Sequence, residues 1–308
     1  MSKKNIQNIS ASILQRLKNY AGEHQEEYGL TLTRYAIERF LYRLSQSNYA
    51  GQFVLKGAQL FRLWTDSSFR PTRDLDLLRY GSPDMAELEA IFRNICEMAI
   101  DVPDGIMYLP KTVRGQVIRE ENEYDGVRIR FEYRIDKVGQ FMQIDIGFGD
   151  VTVPPVEECS FPSMLDLPAA NLKAYSRETV IAEKVQAMVF LGMANSRMKD
   201  FFDVCKLAES FEFDGRVLSK AIQSTFSRRD TAIPSSPPLA LTSEFPENQT
   251  KNKQWQAFLK RSSLESQLTR SEFTDVIQVI SGFVMPVFQA INSGSDFKSK
   301  WGPTEGWI

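Results

Sequence analysis

The stretch from Phe53 to Leu78 constrains the fold most, because it ends in two aspartates separated by one apolar residue. Asp74 and Asp76 flank Leu75, and side chains two positions apart on a strand leave the same face. Leu75 is therefore expected in the core, with both carboxylates pointing at one spot. Such carboxylates repel each other unless a cation lies between them, and Mg²⁺ prefers oxygen ligands of this kind.

A short apolar strand and a glycine turn precede the aspartate pair. Phe53, Val54 and Leu55 predict the strand, and the segment from Lys56 through Gly57 to Ala58 then opens a helix. Small residues at this place let backbone N–H groups approach a phosphate. An isolated Asp-x-Asp pair is equally typical of a solvated strand edge or a calcium-loop fragment, so that alternative stays open at this point.

Composition excludes several kinds of site. The three cysteines are odd in number, far apart and not paired with histidine, which excludes a disulfide framework or zinc site; they are Cys96, Cys159 and Cys205. His24, in a polar segment, is a poor candidate for a catalytic imidazole. Neither a secretion signal nor a run of about eighteen apolar residues is evident, so no membrane is expected and the cytoplasm is the default location.

The charge balance argues against unspecific binding of nucleic acid. A formal net charge of −2 excludes attraction through overall charge but allows local basic patches. Arg70, Arg73 and Arg79 flank the aspartate pair, and further arginines crowd residues 111–134. A solvated face balanced by nearby glutamates is an equally good interpretation.

The hydrophobic pattern changes period along the chain. Helical spacing predicts helices over residues 8–21 and 33–45 and from Ser82, as cap, to Met98. Residues 126–148 then alternate apolar and polar, which predicts a β-hairpin. Asp145 lies on the polar face of its second strand. If this strand neighbours the aspartate pair, Asp145 becomes a third carboxylate; an ordinary surface aspartate is the alternative.

A lysine among apolar residues marks the C-terminal half. Lys184 falls inside the apolar arc of a helix that Ser176 caps, so it either extends to solvent or meets an anion. Glu183 points to the other side and is expected to be solvated. Asp200 and Asp203 share the packed face of the next helix. Because a buried amine carries a desolvation cost, Lys184→Met is expected to hold or raise stability.

These segments together resemble a known family. A small-residue turn opening a helix, followed by Asp-Leu-Asp, is similar to the polymerase-β-type nucleotidyltransferase signature. The Glu183-Lys184 pair and the segment Arg197-Met198-Lys199-Asp200-Phe201-Phe202-Asp203 narrow the resemblance to the AbiEii/AbiGii toxins of bacterial toxin–antitoxin and phage-defence systems. Segments at Ser227–Thr231 and Trp255 are similar to the helical C-terminal part of that family. Gly57-Ala58 departs from the superfamily's usual Gly-Gly or Gly-Ser, which leaves a hydroxyl contact to phosphate in doubt.

The resemblance implies an α+β fold. A polymerase-β-like core, a small mixed sheet with helices, would occupy residues 1–155. A mainly helical C-terminal domain would occupy residues 156–308 and complete the active site. Val151–Ala174, rich in proline, is expected to be the linker. The tail 293–308, with Trp301 and Trp307, is expected either to pack or to bind a partner.

The resemblance also implies an activity. A nucleoside monophosphate would pass from GTP or a pyrimidine NTP to an RNA hydroxyl, such as a tRNA 3′ end, with Mg²⁺ or Mn²⁺ as cofactor and a cognate antitoxin as partner. The implied metal ligands are Asp74, Asp76 and Asp145. The implied catalytic residues are Asp74, Asp76, Lys184 and Asp200. The implied nucleotide-binding residues are Lys56, Gly57, Ala58, Arg73, Lys184 and Asp203. The alternatives are a non-catalytic nucleotide or RNA sensor, or a protein-interaction module.

Overall fold

A computed structural model describes residues 8–65, 70–119, 125–264 and 267–308 of the chain. It divides into two compact units. The first unit comprises Met1–Gly149 and Glu157–Ala174, and the second comprises Asp150–Val156 and Tyr175–Ile308. Residues 120–124, which belong to the segment of mixed charge noted above, lie outside the described residues.

The first unit is a mixed sheet with helices. Its helices are α1 (Ile9–Glu23), α2 (Tyr28–Gln46), α3 (Phe61–Trp64) and α4 (Met85–Glu97). Its strands are β1 (Phe53–Lys56), β2 (Leu75–Arg79), β3 (Ile106–Tyr108), β4 (Arg114–Arg119), β5 (Asp125–Ile135), β6 (Val138–Phe148), β7 (Glu157–Phe161) and β8 (Ala170–Ala174). In the described part of the chain the sheet has eight strands in the order β3-β5-β6-β2-β1-β8-β7, with β4 paired to β5.

Strand β2 lies near the centre of this sheet. It runs antiparallel to β1 on one side and parallel to β6 on the other. Its residues Leu75, Leu77 and Leu78 are buried. The strand that contains Asp76 is therefore next to the strand that carries Asp145, which is the condition stated above for a third carboxylate.

Most predicted elements of the first unit are confirmed. The predicted helices correspond to α1, α2 and α4, and the hairpin corresponds to β5 and β6. The cap of α4 differs from the prediction: Asp84, not Ser82, accepts the N–H of Glu87. The predicted linker is wrong over residues 157–174, since β7 and β8 pair with each other and β8 joins β1. Prolines flank these short strands, at positions 154, 155, 162 and 168, and five-residue strands are too short to show a clear alternation.

Helix α2 is buried around most of its circumference, including charged positions. Arg43 donates two hydrogen bonds to the carboxylate of Asp104, at 2.6 and 3.1 Å, and Arg39 donates one at 3.2 Å. The Tyr35 hydroxyl donates to the main-chain carbonyl of Asp104 at 2.6 Å. Because buried charges are tolerated when they are paired and hydrogen-bonded, this cluster fixes α2 against the segment before β3.

The second unit is mainly helical. Its helices are α5 (Arg177–Leu191), α6 (Met198–Ser210), α7 (Gly215–Arg228), α8 (Glu244–Glu247), α9 (Gln249–Ser262) and α10 (Phe273–Ser293). Its short strands are β9 (Phe213–Asp214), β10 (Lys300–Gly302) and β11 (Gly306–Trp307). An α+β core followed by a helical C-terminal part is thus confirmed, and the prediction that Ser176 caps a helix is confirmed as well.

Helix α10 is the most apolar element of the second unit. Among the described helices, it alone is long and apolar enough to meet a length-and-composition test for a membrane span, a test that core helices also meet. Its buried face includes Ile277, Ile280, Val284 and Phe288, and it packs against α6 and α7. The helix therefore serves as the core of this unit.

The C-terminal tail packs within the second unit. Trp301 donates its indole N–H to the carbonyl of Ala208 at 2.8 Å, and Trp307 donates to the carbonyl of Phe283 at 2.8 Å. The ring of Phe283 contacts both indoles. Of the two expectations for the tail, packing is the one the structure shows.

Candidate active site

The first unit places a glycine turn directly against Asp76. After β1 the chain forms a 3-10 turn that begins at Gly57, whose φ is +71°. A Cβ atom at Gly57 would lie 2.0 Å from Oδ2 of Asp76. Only glycine permits both this backbone conformation and this close approach. The glycine turn that the sequence predicts therefore lies directly against the aspartate strand.

The same turn positions Asp74. Buried Gln59, two residues after Gly57, donates its side-chain N–H to the main-chain carbonyl of Asp74 at 3.3 Å. Asp74 itself is exposed and lies just before β2, while Asp76 is half-buried within the strand. The turn thus contacts the start of β2 at two points, the main chain of Asp74 and the side chain of Asp76.

Four charged residues form a row across four neighbouring strands. Lys56 on β1 pairs in register with Asp76 on β2, and Asp76 pairs with Asp145 on β6. Asp145 in turn pairs with Arg128 on β5. Residues directly opposite each other on paired strands share a face, so all four side chains leave the same side of the sheet. We call them the charged row.

Arg128 holds the third carboxylate. Its Nε and Nη2 donate to the two oxygens of Asp145 at 2.7 and 2.8 Å. These hydrogen bonds have the largest effect and raise the pKa of Arg128; desolvation opposes them, and the charges of Asp145, Asp74 and Asp76 raise the pKa further. Sequence analysis did not assign Arg128 to the site; its position opposite Asp145 in the hairpin is the signal that could have found it.

The donor chemistry of this face fits a divalent cation in part. Asp74 and Asp76 supply carboxylate oxygens, which Mg²⁺ and Mn²⁺ prefer. Asp145 lies on the same face, but both of its oxygens accept hydrogen bonds from Arg128. Within the described residues, no three His, Cys, Asp or Glu side chains are grouped as a metal site. The metal-ligand assignment of Asp74, Asp76 and Asp145 therefore stays a prediction.

The other predicted nucleotide-binding residues of the first unit have varied surroundings. Ala58 is buried in the turn, and Lys56 is half-buried at the end of β1. Arg73 is exposed and donates to Glu27, which precedes α2, at 2.7 Å. Exposed ion pairs of this kind contribute little to stability, so Arg73 can exchange this partner for another anion at small cost.

We expect Gly57→Ala to damage the turn. Alanine at a positive φ costs about 1–2 kcal/mol, and the clash with Asp76 adds to this cost. The free energy of unfolding, measured by urea denaturation, should fall by at least that amount, and nucleotidyl transfer should fall with it. Gly51→Ala is the matched control, because a Cβ at Gly51 meets nothing within 4 Å. Equal stability and activity for the two variants would contradict this account of the turn.

The second unit brings the remaining predicted catalytic residues together. Lys184 on α5 lies 2.5 Å from Oδ1 of Asp200 and 2.9 Å from Oδ2 of Asp203, both on α6. Arg197, just before α6, lies 2.8 Å from Oδ2 of Asp200. The carboxylate side chains are 1% and 0% exposed, and the lysine is 13% exposed. This is a buried ion-pair cluster.

The cluster decides between the two expectations for Lys184. Its amine meets anions and does not simply extend to solvent. Burial opposes ionisation of Asp200, but the charges of Lys184, Arg197 and Lys199 outweigh it and lower the pKa of this carboxyl to about 2. Asp200 is therefore ionised at neutral pH. The roles of Lys184, Asp200 and Asp203 toward a nucleotide stay predictions.

Sequence analysis missed a second ion-pair cluster. Arg229, just after α7, lies 3.0 Å from Asp150 and 3.6 Å from Glu183. It also donates to the side-chain oxygen of Gln186 at 3.0 Å. The expectation that Glu183 is solvated is wrong, since its side chain is 16% exposed and faces this arginine. Helical periodicity placed Glu183 away from the apolar arc, but it could not show that α7 covers that side.

The sequence model of the AbiEii nucleotidyl transferase toxins, components of a type IV toxin–antitoxin system, matches residues 39–279. The chain belongs to this family. The match spans the glycine turn, Asp74 and Asp76, the hairpin with Asp145 and the cluster around Lys184. The family resemblance of these segments is thus confirmed, and the chain is a nucleotidyltransferase toxin by family.

Two solved structures are also similar to the AbiEii-family chain. One is JHP933 from Helicobacter pylori, with a TM-score of 0.47, and the other is a provisionally described nucleotidyltransferase from H. pylori, with a TM-score of 0.44. Each is 16% identical over 83% of this chain and 92% of the other. No match was found among curated proteins.

Proposed function

We propose that this protein transfers a nucleoside monophosphate from an NTP to a hydroxyl of an RNA, such as a tRNA 3′ end, in the cytoplasm. The observation that carries the proposal is the charged row, in which Asp76 lies between the Gly57 turn and Asp145. An aspartate set against a glycine turn is suited to phosphoryl chemistry. The family match supports the same reaction class.

The chain's own residues define the reaction geometry. The turn at Gly57 offers backbone N–H groups to the triphosphate, and Lys56 adds positive charge beside it. Asp74 and Asp76 would hold the divalent cation, together with Asp145 if Arg128 releases it. When bound, such a cation neutralises phosphate charge and lowers the pKa of the acceptor hydroxyl.

The proposed transfer does not require a protein side chain as general base. The acceptor oxygen forms a bond to the α-phosphorus, the bond from that phosphorus to the bridging oxygen breaks, and pyrophosphate leaves. The hydroxyl proton passes to solvent. This accords with a chain whose single histidine, His24, is exposed and stacks on Tyr20. Both aspartates are retained, which favours an enzyme over a non-catalytic sensor or an interaction module.

The proposed activity predicts RNA labelling and toxicity. Purified protein incubated with Mg²⁺ or Mn²⁺, total RNA and each α-³²P-labelled NTP in turn should label RNA, with GTP or a pyrimidine NTP preferred. Expression in a bacterial host should arrest growth, and a cognate antitoxin, the partner we propose, should restore it. NTP binding without transfer would support the sensor, and label in protein alone would contradict the RNA acceptor.

A further inference from the structure

The face that carries the charged row continues as an open surface along β4, β5 and β6. Arg130 lies two residues beyond Arg128 on β5, and it pairs in register with Arg114 on β4. Phe141 on β6 lies four residues before Asp145. It pairs with Glu132, which is two residues beyond Arg130 on the same face of β5. We call Arg114, Arg130 and Phe141 the outer-face patch.

The patch combines an exposed aromatic ring with two exposed cations. Phe141 is 62% exposed, although Met142, Ile144 and Ile146 on the other face of the same strand are buried. The guanidinium of Arg130 lies 5.6 Å from its ring centroid. Arg114 is also exposed, and its Nη1 donates to the carbonyls of Lys111 and Val113, which leaves other N–H groups of its fork for a ligand.

Strand geometry sets the distance between the patch and the charged row. At about 3.3 Å per residue, Arg130 lies about 7 Å along β5 from Arg128. Phe141 lies about 13 Å along β6 from Asp145 by the same measure. The patch is therefore within a few nucleotides' reach of a flexible polymer whose end lies at the aspartates.

We infer that the outer-face patch binds the single-stranded end of the RNA acceptor. Phe141 stacks on a base, while Arg130 and Arg114 bind backbone phosphates. This inference rests on the proposed function and adds a place for its acceptor. Aromatic stacking beside cations is the usual way in which proteins bind single strands without reading sequence.

The position of the patch favours RNA over a protein partner. Arginine and aromatic residues are enriched in protein interfaces as well, so the deciding feature is that the patch shares one sheet face with the charged row. Here Arg130 lies against the aromatic ring, Arg114 lies opposite Arg130 on β4, and Glu132 is the acidic neighbour opposite Phe141. A polyanion that is continuous with the charged row suits this pattern better than an apolar protein surface.

The test measures binding of the full-length protein to a fluorescein-labelled, unstructured 12-nucleotide RNA by fluorescence anisotropy over a range of salt concentrations. Phe141→Ala should weaken binding about tenfold, the loss typical of removing one stacked base. Arg130→Gln should weaken binding and reduce the slope of log K against log salt by about 0.7, as loss of one phosphate contact requires. The matched controls, exposed Phe190→Ala and exposed Arg270→Gln in the second unit, should bind as the wild type does.

Transfer assays separate this inference from the proposed function. If the wild type labels RNA and the patch variants bind and transfer as it does, the patch inference is overturned and the function stands. If the wild type labels no RNA, the function itself fails. If the variants keep RNA binding but lose capture of a cognate antitoxin, the surface belongs to a protein partner and the inference is overturned.

Discussion

Replacing Asp76 with asparagine is expected to abolish nucleotidyl transfer while leaving the fold intact. The substitution removes the carboxylate that lies against the Gly57 turn and next to Asp145 in the charged row. Losing several kcal/mol of transition-state stabilisation corresponds to a fall in rate of about 10³-fold or more. The free energy of unfolding should change by less than about 1 kcal/mol and can rise, because repulsion between Asp76 and Asp74 is relieved.

The test measures both the rate of nucleotidyl transfer and the thermal stability of the Asp76→Asn variant. Transfer of labelled NMP to RNA is followed for the variant, and thermal unfolding is followed on the same preparation. Asp101→Asn, at an exposed position of the same unit, is the control and should change neither quantity. A variant at Asp76 that unfolds would assign this aspartate a structural role, and one that transfers normally would remove it from the reaction.

Replacing Lys184 with methionine is expected to destabilise the protein by about 3–5 kcal/mol. Sequence analysis led to the opposite expectation. It assigned a desolvation cost to the buried amine of Lys184 and expected methionine to remove that cost. The structure shows that Lys184 stands between two carboxylates that are almost fully buried, Asp200 and Asp203. Removing one partner of a buried ion pair leaves charge without compensation, and that costs more than the pair itself contributed. Chemical denaturation measures the loss, with the exposed Lys253→Met as control.

Two further measurements distinguish the ion-pair cluster from simple packing. Adding Asp203→Asn to Lys184→Met should recover part of the lost stability, because one buried charge is removed with its partner. A Lys184→Met variant as stable as the wild type would refute the cluster's structural role.

The pH dependence provides an independent check. The folded pKa of Asp200, about 2, is below its ordinary value of 3.8. Its contribution is therefore present above about pH 4 and is lost as pH falls toward 2. In Lys184→Met the folded pKa of Asp200 should be higher, since the lysine charge is the largest of the effects that lower it, so this pH-dependent contribution should be smaller and its loss should be complete at a higher pH.

Sequence analysis was most informative at positions where the residue type or its spacing is compatible with few backbone conformations. Gly57 predicted a tight turn after a strand, and the Asp74-Leu75-Asp76 alternation predicted a strand with Leu75 in the core, because small turn residues and a period of two have few other uses. The β5–β6 hairpin followed from its long alternation. Asp145 could be placed only conditionally, since strand order is a tertiary property that a single sequence does not encode locally.

The parts that sequence analysis missed depend on neighbours that are distant in the chain. Arg128 and Arg229 were not assigned because each finds its carboxylate through tertiary pairing, across a hairpin for Arg128 and with Asp150, 79 residues earlier in the chain, for Arg229. The strands at residues 157–174 were missed because β8 is completed by pairing with β1, more than a hundred residues earlier. Hydrophobic period cannot report such partners.

The register of the central strands has a consequence for how this protein loses function. Asp76 and Asp145 share a face only because β2 and β6 are aligned residue for residue. A slip of one position would turn one carboxylate into the core and expose an apolar neighbour such as Leu77 or Ile146. Substitutions among the buried leucines and isoleucines can therefore silence the toxin without altering a single charged residue.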